Sequence, residues 1–112
     1  MNLKQLGKLA RQASKVLAAA PTRQKNDCLH IIATVLRERS NEILQENAVD
    51  LEVGRDGKMS PSMLDRLELT VAGVNSMADS LVHIARLPDP VGQLSDLRRQ
   101  PSGIEVGRMR TP

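Results

Sequence analysis

A chain of 112 residues with 40% apolar and 26% charged residues is long enough for one small soluble domain, and its net charge of +3 is modest. It has no Phe, Tyr or Trp. Any core must therefore come from Leu, Ile, Val, Met and Ala, which fits a piece of a larger core better than a self-sufficient one, and the stacking platforms of single-strand nucleic-acid binders are missing.

The charge is unevenly placed. Residues 1–26 carry Lys4, Lys8, Arg11, Lys15, Arg23 and Lys25 and no acid. A basic first helix can serve a membrane surface, a phosphate backbone or an organelle address, but a solvated helix face is the plainer reading. The spacing of Leu3, Leu6, Ala10, Ala13, Val16, Leu17 and Ala20 predicts that helix over 3–20, with an apolar stripe opposite the lysines. The stripe is periodic, unlike a signal peptide, and no apolar run approaches the ~20 residues of a membrane span.

Pro21 ends the first helix, and Thr22 is placed to cap a second over 23–39. Cys28, Leu29, Ile31, Ile32, Val35 and Leu36 form its expected buried side. The lone Cys28 excludes an intrachain disulfide, is compatible with a cytoplasmic protein, and reads as a small buried hydrophobe. His30 has no second ligand nearby in sequence. Ser40 is placed to cap a third helix over 41–55, with Leu44, Ala48 and Leu51 on its inner side and Asn47 as an interruption that bends the helix or caps its second half. Glu42, Glu46 and Asp50 fall at i, i+4 and i+8, one carboxylate row expected to face water. Gly54-Arg55-Asp56-Gly57 closes the helix. No glycine is followed by the Lys-Ser or Lys-Thr of a phosphate loop.

Ser60-Pro61 starts a short helix over 61–68, and Thr70 starts another over 71–86. Val74, Met77, Ala78, Leu81, Val82 and Ala85 share one face of the latter. His83 falls on its polar side with Asn75 and Asp79. Pro88 stops this helix, and Asp89-Pro90 forces an extended corner. Beyond Gly92 a hairpin is expected near 93–110, turning at Pro101-Ser102-Gly103. Two strands alone are marginal in water, so the hairpin expects a sheet or helix to lean on.

Ser60-Pro61-Ser62-Met63-Leu64-Asp65-Arg66-Leu67-Glu68-Leu69-Thr70 and Leu87-Pro88-Asp89-Pro90-Val91-Gly92 resemble the N-terminal region of the gamma-glutamyl phosphate reductases, also called glutamate-5-semialdehyde dehydrogenases, of the aldehyde dehydrogenase superfamily. The resemblance extends upstream through Glu42–Leu51 and downstream through Pro101–Ile104 and Gly107–Arg110, with Thr111 a mild departure where an apolar residue is expected. It implies a mainly α chain: the N-terminal helical segment of an aldehyde-dehydrogenase-like α/β fold, ending in a β-hairpin. Residues 1–92 would form the helical region, and residues 93–112 a hairpin leading into a cofactor-binding domain beyond this chain.

The family reduces L-glutamyl 5-phosphate to L-glutamate 5-semialdehyde with NADPH in proline biosynthesis, through a cysteine nucleophile in its later part. The resemblance therefore places no catalytic, cofactor-binding or metal-binding residue in this chain. The chain alone is expected to be inactive and to bind no NADPH, and Asp65 and Arg66 are read as a structural charged pair. A fragment from a frameshift, a split gene or an incomplete sequence is the first reading. The alternative is a stand-alone helical module docking on a full-length relative. Self-association into a homo-oligomer is allowed; nucleic-acid and membrane partners are not expected.

Overall fold

The computed structural model describes residues 2–112 as five helices followed by a two-stranded sheet: α1 (Leu3–Ala19), α2 (Thr22–Glu38), α3 (Ser40–Asp56), α4 (Pro61–Leu67), α5 (Val71–Ala85), β1 (Leu94–Arg99) and β2 (Glu105–Met109). The chain divides into two compact units, one formed by residues 1–25 and 87–112, the other by residues 26–86.

In the first unit, α1 opens with a reciprocal cap. Asn2 Oδ1 accepts from the Gln5 backbone N–H at 2.9 Å, and Gln5 Oε1 accepts from the Asn2 N–H at 3.2 Å. Of the stripe expected on α1, Leu3, Leu6, Ala10, Ala13, Val16 and Leu17 are exposed and Ala20 is half-buried; Leu9 beside them is exposed too.

The hairpin pairs antiparallel, Leu94 with Met109 and Ser95 with Arg108, then Arg98 with Val106 and Arg99 with Glu105. The shift of register leaves Asp96 and Leu97 opposite Gly107, a β-bulge. Asp96 takes a left-handed conformation (φ 54°). A Cβ on Gly107 would lie 2.8 Å from Leu97 Cδ2, so the glycine is what lets Leu97 lie across the partner strand. Pro101, Ser102 and Gly103 make the turn: Gly103 N–H donates to Gln100 C=O at 2.8 Å, and Gly103 supplies the positive φ (88°) that closes a three-residue loop. Both strands are exposed along their length.

In the second unit, α3 packs against α4 and α5. The buried apolar residues are Ala33, Leu51, Val74, Ala78 and Ala85. On α5 the expected face holds for Val74, Ala78 and Ala85, with Leu81 and Val82 half-buried and Met77 at the exposed margin. Thr70 caps the helix as expected, accepting from Gly73 N–H at 3.0 Å.

Other expectations are corrected. Cys28 is exposed, because the inward line of α2 is Leu29, Ala33 and Leu36 at i, i+4 and i+7, with Cys28, Ile32 and Val35 on its flank. Ala48 is exposed as well. Asn47 neither bends nor caps α3; it is 7% exposed within an unbroken helix. Ser40 lies inside α3 rather than capping it, and at the Ser60 cap only the backbone C=O is used, accepting from Met63 and Leu64. Asp65 and Arg66 are both exposed and form no ion pair with each other.

The end of α3 also differs. Met59 N–H donates to Gly54 C=O at 2.9 Å and Lys58 N–H to Arg55 C=O at 3.0 Å, the paired bonds of a left-handed helix stop. Lys58, not a glycine, holds the left-handed position, at φ 56°. A side chain there costs ~1 kcal/mol. Lys58→Gly is therefore expected to raise stability by ~0.5–1 kcal/mol, read as a higher urea midpoint, since relief of that strain exceeds the added freedom of the unfolded chain. An unchanged or lower midpoint contradicts the assignment.

Candidate functional site

Two clusters of polar side chains stand out, one in each unit. The first is a staple built on Asp89, in the rigid corner between Pro88 and Pro90. Its Oδ2 accepts from the Thr22 hydroxyl at 2.8 Å and pairs with the Lys25 ammonium; its Oδ1 accepts from Val91 N–H at 3.0 Å. Thr22 is thus not the cap of α2. Its hydroxyl is turned to the corner, while the Pro21 C=O takes the first helical bond, from Lys25 N–H.

Lys25, Thr22 and the Val91 amide, in that order of effect, hold the Asp89 carboxyl down at about 2, from an ordinary 3.8. A carboxylate whose pKa falls on folding favours the folded state above its unfolded value and loses that contribution as pH falls through the folded value. The Asp89 contribution is therefore complete above about pH 4 and lost toward pH 2. Urea midpoints of the parent chain are expected to fall more steeply across this window than those of Asp89→Asn. Parallel slopes rule the staple out as a titrating element.

The second cluster lines an open cleft of ≈ 450 Å³ in the 26–86 unit, with Val35, Leu36, Ile43 and Leu69 as apolar wall and Glu42, Glu46 and Asp50 as acidic rim. The carboxylate row faces water as its spacing predicts. Arg39, at the expected end of the second helix, closes on Glu42 through Nε at 3.0 Å and Nη2 at 2.5 Å. Its hydrogen bond is the main reason the Glu42 carboxyl lies below its ordinary value, and Arg39 is raised in turn. Both side chains are exposed, so the pair does little for stability.

Behind the cleft sits the residue that sequence reasoning misread. Asn47 Nδ2 donates to Leu67 C=O at 2.9 Å, and its Oδ1 accepts from Leu69 N–H at 2.8 Å. One side chain thereby satisfies both backbone groups flanking Glu68, where the chain passes from α4 toward α5. The signal was present: Leu44, Asn47 and Leu51 follow at i, i+3 and i+7, which puts the amide in the apolar line and predicts burial.

Neither cluster assembles a nucleophile with a base. Cys28 and His30 lie exposed on α2, and His83 is exposed on α5, where Asp79 binds Arg37 at 2.5 Å instead. Among the described residues no three His, Cys, Asp or Glu side chains come together as a metal site, and no helix is long and apolar enough to cross a membrane. What the clusters do is hold backbone: the staple fixes the corner before the hairpin, and Asn47 fixes the joint between α4 and α5.

No family model matches the chain. Over all 112 residues it is 45% identical to a gamma-glutamyl phosphate reductase of Histophilus somni, and spans 27% of that protein. The crystal structure of gamma-glutamyl phosphate reductase from Thermotoga maritima superposes on the whole chain with a TM-score of 0.94 at 35% identity, the chain again covering 27% of it. The five helices and the hairpin match the N-terminal segment of that structure.

Proposed function

We propose that this chain works as the N-terminal part of a gamma-glutamyl phosphate reductase, an NADPH-dependent oxidoreductase that converts L-glutamyl 5-phosphate to L-glutamate 5-semialdehyde for proline biosynthesis in the cytoplasm. The observation that carries this reading is the match to the two reductases along every residue of the chain, at 45% and 35% identity. In the assembled enzyme the nucleophilic cysteine and the NADPH cradle, of the aldehyde dehydrogenase type, belong to the remaining three quarters. The role of this part is architectural. It carries the helical layer and delivers the chain, through the Asp89 corner and the hairpin, into the cofactor-binding domain. The apolar face of α1 and both faces of the hairpin are then surfaces for the rest of the enzyme. No observation favours a separate interaction module.

The test is a chimera. This chain replaces the matching segment of the Histophilus somni relative, and turnover is followed in the reverse direction, as NADP-linked oxidation of the semialdehyde with phosphate. The chimera is expected to retain turnover within about tenfold of the parent, a rise of no more than ~1.4 kcal/mol in the barrier. The isolated chain is expected to show none. A folded but inactive chimera, or turnover by the isolated chain that survives Cys28→Ala, overturns the reading.

A further inference from the structure

We draw no further inference here: the strongest candidate, the continuous apolar face of α1 formed by Leu3, Leu6, Leu9, Val16 and Leu17, is an unpartnered helix face, and nothing in the structure shows what covers it.

Discussion

Asn47→Ala is expected to destabilise the 26–86 unit by ~2–4 kcal/mol, because the truncation leaves two backbone groups, the Leu67 carbonyl and the Leu69 amide, without partners in a part-buried place. Against a total stability of ~5–15 kcal/mol for a domain, that is enough to depopulate the fold at moderate urea. Replacement by aspartate separates the hydrogen-bond argument from a packing argument, since the two side chains have nearly the same volume. At neutral pH, Asn47→Asp keeps the acceptor for Leu69 N–H but sets a carboxylate oxygen against the Leu67 carbonyl oxygen. Protonation restores a donor. The aspartate variant is therefore expected to be strongly destabilised at pH 7 and to recover part of the loss as pH falls toward 4, a range over which the parent's Asp89 staple stays complete. Urea unfolding at both pH values reads the effect, and hydrogen exchange at the Leu69 amide localises it. An aspartate variant as stable as the parent at pH 7 removes the clamp from the account.

Gly54→Val is expected to cost ~1–3 kcal/mol by overpacking. Gly54 is buried where α3 meets α4, and a Cβ there would stand 3.1 Å from Leu64 Cδ2, 3.5 Å from Met59 Sδ and 3.6 Å from Leu67 Cδ2. Alanine and valine should differ in kind. A single methyl asks Leu64 to give by a few tenths of an ångström and returns the ~1 kcal/mol by which Ala exceeds Gly in a helix, so Gly54→Ala is expected near neutrality. Valine sets two further methyls beside the same three side chains, where the Cβ is already in contact. Thermal unfolding of both variants beside Gly7→Ala, whose Cβ would meet nothing within 4 Å, provides the comparison. If valine at position 54 is tolerated as well as alanine at position 7, α3 and α4 do not pack as closely as described.

Most of the secondary structure was legible because local signals and tertiary demands agree. Pro21, Thr70, Pro61 and Pro88 mark boundaries through covalent restrictions on φ, on backbone donors and on capping, and those act whatever packs around them. The turn at Pro101-Ser102-Gly103 was legible for the same reason. What failed to read was the choice a side chain makes between a local and a distant partner. Thr22 has a helix start beside it and a carboxylate at Asp89, and takes the carboxylate. Asn47 reads as a helix breaker from propensity, but its amide is paired with backbone twenty residues away. Cys28 was placed inward because α2 has more apolar residues than one face can bury, and periodicity alone does not say which line of them turns in. The reductase resemblance was legible in contiguous words of sequence, from Ser60 to Thr70 and from Leu87 to Gly92, and the whole-chain match bears it out.

The Asp89 staple has a kinetic consequence. Thr22 and Asp89 are 67 positions apart, and closing a flexible loop of that length costs ~3–4 kcal/mol in chain entropy before any contact is rewarded. A hydroxyl and an ammonium at the protein surface do not repay that alone. The intervening helices are joined by contacts of shorter span, Asn47 to Leu67 and Leu69 and Arg37 to Asp79, and can form without the staple, and so can the hairpin, whose turn spans three residues. The staple is thus expected to act as a latch that engages after its flanking parts exist and is among the first contacts to open on unfolding. Its place in the molecule is at the end of the folding reaction, where it sets how long the corner stays shut rather than how quickly the helices appear.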